Sequence, residues 1–548
     1  MKPPRPKSTL LDRAVAYFDP LAGLRRAQAR SYMALSGSYD AASRDSRTGR
    51  RWFTFARSAD GDLTGELPEI RKRSRDQVRN NPLAGGAIAQ IVSRTVGTGM
   101  SLHPMPNRRV LGWDQQRAED WRNVARDEFN AWATSRHCTL DGVGDFYDWQ
   151  TLAFRTTLES GDGFTLLANA GTSQWPIGLR LQLLEADRCG NPGAEMDRAG
   201  MYEGVQFDPV TGRRTAYHFY DRHPGGLELT RPPGRWVAAF TRRGTPAVLH
   251  HFRQLRPEQT RGVPHLSPVL DALKQLDRYT EAEILAAVIS GMFTVFVKSD
   301  KPDENPVFAG QGTGSADSTG ELKLDSGMVI GLNPGESIET ANPGRPNTAF
   351  DPFVQAILRQ VAIGLELPYE VLVKHFTSSY SAARAALLDA WQFFKGRREW
   401  LVKSACQPVW EAFLEEAVAA GRISAPGFFR DPLIRAAYCQ ALWTGDGPGS
   451  IDPVKDVEFW ERAVALRIAT RGRAESELFG TDFASTFDAK VSEERMLEEG
   501  GLIAEPGDPM PAAPAAPGGG AADPGDPSDP SDGPAEQDDE SDETLPDD

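Results

Sequence analysis

Two pairs of acidic residues in turn-rich stretches are the first candidates for catalytic or metal-binding chemistry in this sequence. Glu159 and Asp162 belong to the stretch ESGDG, between a predicted helix and a predicted strand, and Asp446 and Asp452 belong to the loop WTGDGPGSIDP. Paired carboxylates can bind a divalent metal or act as general acid and base. The simpler interpretation, which we favour, is a polar turn for the first pair. Asp452 fits an N-cap, because Pro453 follows it.

Basic residues and histidines form the second group of candidates. The eight histidines are scattered, and only His250 and His251 are neighbours. Successive side chains of a strand point to opposite faces, so this pair cannot bind one metal ion together, and we expect a structural role for both. The basic run Arg71–Arg79 either contacts phosphates or an acidic partner, or is the solvated first half of a helix whose second half is buried.

The motifs of several enzyme classes are absent. The chain has no G-x-x-x-x-G-K-[ST] loop, no H-E-x-x-H motif and no G-x-S-x-G motif. Gly310, Gly312 and Gly314 are close together, but no helix N-terminus follows them, which favours the tip of a hairpin. Because no nucleophile, base and oxyanion donor can be assembled, the sequence predicts a protein that is not an enzyme. It predicts no catalytic residue, no cofactor and no metal site.

The dominant element of the chain is a long amphipathic helix. Ser267 is its predicted N-cap, and Pro268 suits the first helical position. A helix over residues 268–291 would be about 36 Å long. Its apolar positions recur at helical spacing, which marks the packing face, and they are Val269, Leu270, Leu273, Leu276 and Tyr279.

Beyond residue 291 the period changes from that of a helix to that of a strand. Phe293, Val295 and Val297 alternate, and glycine, proline and aspartate follow. Helical spacing then returns at Phe353, Ile357, Val361 and Leu365. The sequence therefore predicts two helices that enclose a small β-rich insert.

The rest of the chain is predicted as an α+β domain before the long helix and a helical part after it. Pro408 is expected to kink the helix that runs from Ser381 to about Ala420. The other predicted elements are helices at 66–98, 113–132, 146–158, 454–471 and 485–499, strands at 164–168, 179–184 and 248–252, and a hairpin within 205–224.

Composition is that of a globular protein with an acidic extension. The 548 residues are 40% hydrophobic, and four dispersed cysteines predict reduced thiols and an intracellular setting. The net charge is −15, but 14 acidic residues and no basic residue lie in 505–548, so the remainder carries only −1. That segment is predicted to be disordered. No signal peptide is expected at the N-terminus, and the apolar stretch 284–297 is too short to cross a membrane.

Several stretches, taken together and in order, resemble the lambda-type phage portal protein family. They include RKRSRDQVRNNPLAGGAIAQIVSRTVGTGMSL (71–102), LLEADRCGNP (183–192), GVQFDPVTGRRTAYHFYDRHPG (204–225), the region 250–287, IGLELPYEVL (363–372), FTSSYSAARAALLDAW (376–391) and WTGDGPGSIDP (443–453). No single stretch is diagnostic, but the ordered set covers most of residues 50–475.

The resemblance implies a portal-protein fold, α+β overall, with each region in a named role. These are an N-terminal arm (1–60), a wing (61–265), a stem helix (266–292), a clip (293–349), a returning stem helix (350–366), a tunnel loop (367–385), a long kinked helix with a further wing or crown part (386–480), a C-terminal helix (481–504) and a disordered acidic tail (505–548). The packing residues of the stem would be Val269, Leu273, Leu276, Tyr279, Ile357 and Val361.

The implied function is a ring, typically of twelve copies, at one vertex of a viral head. Double-stranded DNA would enter and leave through its channel without sequence-specific contact, which suits a nearly neutral body. Implied partners are the terminase large subunit, the head–tail connector, and the major capsid and scaffold proteins. The protein would be assembled in the host cytoplasm and retained in the virion, with no membrane contact.

The tunnel loop is the implied DNA-facing site. Lys374 and His375 either contact phosphates weakly at the narrowest point of the channel or only solvate the loop. Thr377, Ser378, Ser379 and Tyr380 complete the candidate set.

Two alternatives of other classes stay open on the sequence. A metal-dependent DNA-processing enzyme, such as a nuclease using Asp162 or Asp446, would need three or more converging carboxylate or histidine ligands. A different structural protein of the viral head would lack the helix–insert–helix arrangement.

Overall fold

A computed structural model describes most of the chain between residues 55 and 500. The described residues are 17, 19, 20, 22, 55–171, 175–227, 232–291, 295–299, 336–340, 349–375, 380–447, 453–481 and 483–500. Contacts divide the chain into two units, Met1–Phe483 and Ala484–Asp548. Most of the predicted N-terminal arm, much of the predicted clip and the whole acidic tail lie outside the described residues.

Fifteen helices of four or more residues occur in the part of the chain between residues 55 and 500 that the structure describes. They are α1 (Ala59–Leu63), α2 (Leu67–Asn80), α3 (Pro82–Thr95), α4 (Arg108–Leu111), α5 (Gln115–Ala133), α6 (Phe146–Ser160), α7 (Leu270–Gly291), α8 (Phe350–Gly364), α9 (Tyr369–Val373), α10 (Tyr380–Leu401), α11 (Gln407–Ala419), α12 (Pro432–Cys439), α13 (Pro453–Ala465), α14 (Arg471–Phe479) and α15 (Phe483–Glu499).

The strands among the described residues form four small antiparallel sheets. Their order is β3-β2-β8 in a three-stranded sheet, β4-β5-β6-β7 in a four-stranded sheet, and β1-β11 and β9-β10 in two pairs. The strands are β1 (Ser101–Pro104), β2 (Asp162–Asn169), β3 (Leu179–Glu185), β4 (Met201–Tyr202), β5 (Val205–Phe207), β6 (Arg214–Tyr220), β7 (Gly234–Ala238), β8 (Val248–Phe252), β9 (Val295–Ser299), β10 (Glu336–Thr340) and β11 (Ala441–Thr444).

The main core joins the α+β region to the helices that follow the hairpin. Phe129 of α5 lies edge-on to Phe146 at 5.4 Å, to Trp410 at 5.5 Å and to Phe413 at 5.2 Å between ring centroids. Such edge-to-face pairs are favoured by the ring quadrupoles and exclude water from the core. A second, smaller cluster around Phe164 packs the three-stranded sheet against the four-stranded one. The α+β class predicted from the sequence is confirmed.

Two predictions about helix boundaries are wrong in detail, one over residues 66–98 and one at Ser267. The pattern over 66–98 is not one helix, because Asn81 ends α2 and caps α3 by accepting from the backbone N–H groups of Leu83 and Ala84. Ser267 does not accept a backbone N–H as an N-cap. Its hydroxyl instead donates to the Pro264 carbonyl at 2.7 Å, and a 3₁₀ turn, Ser267–Val269, leads into α7.

The disturbance predicted near Pro408 is present. A π-helical segment, Val402–Cys406, separates α10 from α11, and Pro408 lies in the first turn of α11. Proline lacks the N–H that an α-helix needs, so the regular hydrogen-bond pattern of the helix is interrupted upstream of it.

The helix predicted over 454–471 is shorter, because α13 ends at Ala465 and α14 starts anew at Arg471.

The long helix, the strand change and the returning helix follow the predicted order. Helix α7 reaches Gly291, β9 pairs with β10 in antiparallel register, and α8 returns. At 1.5 Å per residue, α7 is about 33 Å long and α8 about 22 Å. No helix among the described residues is apolar over enough length to cross a bilayer.

Candidate functional site: the root of the helical hairpin

The root of the hairpin, where α7 begins and α8 ends, is firmly buried. Val269, Leu273 and Leu276 of the first arm and Val361 of the second have almost no exposure. Gly364 lies so close to Val269 that a Cβ there would overlap Val269 Cγ1. The two arms therefore converge at this level and meet the rest of the molecule.

Neighbouring elements hold the root from the side. The Asn81 side chain donates to Asp277 Oδ1 at 2.8 Å, which ties α7 to the α2–α3 corner. The His265 ring lies 3.2 Å from the Leu365 carbonyl at the end of α8, so it satisfies a carbonyl left open by that helix terminus. Both arms are thus fixed to the α+β region by polar as well as apolar contacts.

The two other predicted stem residues are only partly buried. Tyr279 stacks on Phe350 at 5.5 Å and meets Phe353 edge-on at 5.0 Å, while Ile357 is half-buried against the core. These aromatic contacts join α7 to the first turn of α8. They also mark the point at which burial of α7 ends.

Beyond Tyr279 the hairpin presents apolar side chains to solvent. Ile284, Leu285 and Val288 of α7 are 61%, 59% and 50% exposed, and Phe353 of α8 is 51% exposed. A single exposed leucine is ordinary, but a run of exposed apolar side chains along one helix is typical of an interaction surface.

A buried charge cluster lies directly ahead of the first arm. Asp162, at the start of β2, is completely buried and accepts from Arg261 Nε at 2.6 Å and from Arg71 Nη2 at 2.8 Å. His250 Nε2 lies 3.1 Å from Asp162 Oδ2. Asp162 therefore joins α2, β8 and the segment that leads into the hairpin.

The remaining donors of Arg261 are bonded to backbone carbonyls. Nη1 donates to Glu203 at 2.6 Å and Cys189 at 3.2 Å, and Nη2 donates to Ala186 at 2.8 Å. The guanidinium also lies over the Phe164 ring at 5.2 Å. A buried cation is tolerated when its charge is paired and its donors are bonded, and Arg261 meets both conditions.

Burial and pairing set the protonation states of the cluster. Burial alone would raise the pKa of Asp162, but Arg261 and Arg71 hold that pKa well below its usual range. Burial lowers the pKa of His250 to about 4, against the opposing hydrogen bond with Asp162. At neutral pH the cluster therefore contains one carboxylate, two guanidinium groups and a neutral imidazole.

Close backbone contact makes this cluster possible. Gly161 has a φ of 88°, and a Cβ there would lie 2.5 Å from the Gly262 carbonyl oxygen. Glycine adopts this conformation without steric cost and lets the two backbones touch. The turn ESGDG is thus structural, as predicted, but Asp162 is a buried ion-pair centre rather than a solvent-exposed turn residue.

The environment of the basic run on α2 matches neither of the two interpretations drawn from the sequence. Arg71 is 2% exposed and also donates to the Ser160 carbonyl at 3.0 Å, while Arg75 donates to Ser160 Oγ and pairs with Asp187. Lys72, Arg73 and Arg79 are exposed, with acidic neighbours on the same helix. One face of the run is therefore solvated and the other is built into the protein.

The adjacent histidines contact different partners, as predicted. His250 stacks on Phe164 at 4.3 Å, whereas His251 Nε2 lies 2.8 Å from Thr165 Oγ1 and its ring meets Trp149 edge-on. Burial lowers the pKa of His251 to about 3. The two rings therefore face different partners and do not converge on one site.

The second acidic pair does not converge on a site in the described residues. Asp446 accepts from both the backbone N–H and the hydroxyl of Thr98, each at 2.9 Å, and so links the loop after β11 to the end of α3. Asp452 lies outside the described residues. The four cysteines, Cys138, Cys189, Cys406 and Cys439, are buried and unpaired.

One cluster that spacing did not reveal has the composition of a metal site. Glu185, Asp187 and His223 bring one ligand atom each within 4.8 Å of one another. However, His223 Nδ1 accepts from the Gly225 N–H at 3.0 Å, and its Nε2 lies 3.1 Å from Glu185 and 3.5 Å from Asp187. Arg75 pairs with Asp187. The three residues thus contact one another and Arg75, and partly exposed acidic clusters of this kind are common in proteins that hold no metal there.

Only part of the predicted tunnel loop is described. Lys374 ends α9 in a left-handed conformation with a φ of 57°, and both Lys374 and His375 are exposed. Thr377, Ser378 and Ser379 lie outside the described residues, and Tyr380 begins α10. Within the described part of the chain, neither Lys374 nor His375 forms a salt bridge.

An α+β body fixes a helical hairpin by its root, and the far part of the hairpin keeps apolar side chains uncovered. The acidic and histidine clusters among the described residues are occupied in ion pairs and hydrogen bonds.

Comparison with known proteins gives the family. The family model "Phage portal protein, lambda family" matches residues 45–398. The chain is 25% identical over 480 residues to the portal protein of Escherichia phage N15, covering 83% of this chain and 89% of that one. It is 24% identical over 476 residues to portal protein B of Escherichia phage lambda, covering 83% and 88%. The chain therefore belongs to the lambda family of phage portal proteins.

Solved structures of gene transfer agent (GTA) particles are also similar. A chain of the neck of the native GTA particle, computed with C12 symmetry, matches with a TM-score of 0.41 at 12% identity, covering 75% of this chain and 94% of that one.

Proposed function

We propose that this protein forms a closed ring, of the twelve copies typical of its family, at one vertex of a viral head. Double-stranded DNA passes through the ring during packaging and ejection. The protein acts by assembly and carries no catalytic activity of its own. It is assembled in the host cytoplasm and stays in the virion.

The observation that carries this proposal is the division of α7 into a buried root and an exposed far part. The contacts at the root end at Tyr279, so they leave the side chains of Ile284, Leu285 and Val288 exposed. In a ring, each hairpin lies between two copies of itself, so both sides of the helix find apolar partners. A second copy of this chain is therefore the occupant of that surface.

The regions take the roles that the family resemblance implies. Residues 61–265 form the wing, 266–292 and 350–366 the stem, 293–349 the clip, and 386–480 the long helix with a further wing or crown part. The clip docks the terminase large subunit and later the head–tail connector. Major capsid and scaffold proteins contact the outer parts of the ring.

Residues 367–385 form the tunnel loop in this proposal. Lys374 and His375 face the DNA, with Thr377, Ser378, Ser379 and Tyr380 beside them. Exposure of Lys374 and His375, together with their lack of ion pairs in the described chain, supports this role. Few cations near the DNA would suit sliding, because each phosphate contact adds affinity and salt dependence.

The mass of the purified full chain tests the proposal. Native mass spectrometry and electron microscopy of the wild type should give one closed ring of about twelve chains. Leu285→Asp places a charge on the exposed apolar face and should leave monomers, whereas Gln275→Asp places the same charge at an exposed polar position of α7 and should leave rings. Monomers for the wild type, alone and with capsid partners, would refute the ring.

A further inference from the structure

One buried arginine at the hairpin root has a buried nitrogen without a hydrogen-bond partner. Arg397 of α10 is 9% exposed, yet it makes no hydrogen bond within the described residues, and its Nη2 is buried without a partner. It lies over the Phe393 ring at 4.8 Å and 3.5 Å from Glu366 Oε1, which is an ion pair but not a hydrogen bond.

Arg261 provides the contrast. Arg261 is completely buried, and every one of its nitrogens donates to Asp162 or to a backbone carbonyl. A guanidinium has five N–H donors, and leaving buried donors unbonded is costly. An unsatisfied buried group in a native protein needs an explanation, and a bound ion is one of the known ones.

Arg397 lines a cavity of about 160 Å³ at the root of the hairpin. A water molecule occupies about 30 Å³ in the liquid, so the cavity has room for more than a single water. Phe154, Leu158 and Trp400 form apolar walls, and the polar residues at its edge include Arg253, His265 and Glu366. The cavity therefore combines apolar walls with a few convergent charged groups, as ligand sites do.

The charge of the cavity is positive. Arg253 Nη1 lies 3.4 Å from Glu366 Oε1, the same oxygen that Arg397 approaches, so two guanidinium groups share one carboxylate. That carboxylate is half-exposed, which weakens its hold on both. Burial lowers the pKa of His265 to about 4, so the imidazole adds no charge at neutral pH. Among the described residues that line the cavity, the positive charges therefore exceed the negative ones by one.

We propose that this cavity binds a small oxyanion of the phosphate or carboxylate type, held by Arg397 with Arg253 beside it. The planar guanidinium fork matches two oxygens of such an anion. Binding would give Arg397 Nη2 a hydrogen-bond partner and neutralise the excess charge. The proposal is independent of ring formation, because every group that lines the cavity belongs to one chain.

Thermal unfolding of the full chain provides the test. Inorganic phosphate up to 20 mM, at ionic strength held constant with chloride, should raise the midpoint of the wild type by roughly 2–4 °C through binding to the folded state. Acetate in a parallel series tests the carboxylate type. The anion that raises the midpoint identifies the source of the oxyanion.

Three variants make the test specific. Arg397→Met should abolish the anion-dependent rise without preventing folding, since an apolar side chain of similar length fills the site. Arg430→Met removes an exposed arginine and should behave as the wild type. Glu366→Gln removes the competing carboxylate and should enlarge the rise.

Two outcomes would overturn the proposal. One is an equal rise in the wild type and in Arg397→Met, which would place the anion elsewhere or reveal a general salt effect. The other is the absence of any response to phosphate or acetate, which would leave water alone in the cavity. Both results are read on the unfolding of the chain, so they are distinct from failure of the ring to close.

Discussion

Gly364 and Val269 touch across the root of the hairpin with no space for a methyl group between them. Val269 is β-branched and stiff about χ1, so its Cγ1 cannot swing aside cheaply. This contact therefore holds the end of α8 against the start of the first arm.

Gly364→Ala is expected to destabilise the protein. Alanine favours a helix over glycine by about 1 kcal/mol, but overpacking a tight contact costs about 1–3 kcal/mol, and the clash should prevail. The midpoint of thermal unfolding should therefore fall. Gly86→Ala is the matched control, since Gly86 lies in α3 with nothing within 4 Å of a new Cβ, and it should be neutral or stabilising.

A double variant locates the cause of that destabilisation. Adding Val269→Ala to Gly364→Ala should cost less than the sum of the two single changes, because the smaller side chain relieves the overlap. If the two changes are simply additive, the contact between Gly364 and Val269 is not the cause of the loss of stability.

Arg261→Met is expected to be severely destabilising. It leaves Asp162 buried with one of its two arginines, and breaking such a buried pair typically costs about 3–5 kcal/mol. Arg256→Met removes an exposed arginine that pairs with Asp62, and it should cost less than about 1 kcal/mol. Chemical denaturation of the two variants should separate them clearly, and comparable losses of stability would contradict the role given to the cluster.

Acid is expected to destabilise the folded chain well before the carboxylates titrate. Unfolded histidine binds a proton below a pH of about 6.5. In the folded protein burial lowers the pKa of His250 and of His265 to about 4 and that of His251 to about 3. Between these limits the unfolded state holds more protons, so the free energy of unfolding decreases as the pH falls from about 6.5 towards about 4.

Asp162 acts in a lower pH range. Its folded pKa is depressed, so its contribution is complete above its unfolded pKa of about 4 and is lost only at lower pH. Unfolding midpoints measured from about pH 4.5 to about pH 7.5 should therefore report the histidines. His251→Gln keeps a polar side chain that does not titrate, and its pH slope should be shallower. An unchanged slope would exclude His251 as a source.

Lys374→Ala is expected to weaken binding of double-stranded DNA to the assembled ring and to reduce its salt dependence. Each phosphate that a lysine neutralises contributes about 0.9 to the slope of log affinity against log salt concentration, so the slope should drop by about that much for each such phosphate. Fluorescence anisotropy over a salt series measures this slope. Lys403→Ala, which removes an exposed lysine paired with Glu399, should leave the slope unchanged.

The regular elements were predictable because their signals are local. The spacing of Val269, Leu273 and Leu276 defines one face of α7, and Pro408 marks the π segment just upstream. The N-cap prediction at Ser267 failed because the backbone there forms a 3₁₀ turn first, which leaves the hydroxyl to donate to Pro264. Whether the named regions have the boundaries expected of a portal stays a prediction.

The charge cluster could not be predicted from spacing. Asp162 is 91 residues from Arg71 and 99 residues from Arg261, and neither arginine stands out from its neighbours in sequence. The burial of Arg71 depends on which face of α2 meets α6, which is a tertiary property. The lack of a hydrogen-bond partner for Arg397 Nη2 is likewise evident only in the folded structure.

The chain order of the Asp162 cluster has a consequence for biosynthesis. Arg71, Asp162, His250 and the carbonyls that bind Arg261 all precede Arg261, which in turn precedes α7. A ribosome releases these partners first, and domains generally fold from the N-terminus during synthesis. The cluster can therefore close before the exposed apolar part of α7 emerges, so newly made chains would meet one another only after the attachment point of the hairpin is rigid.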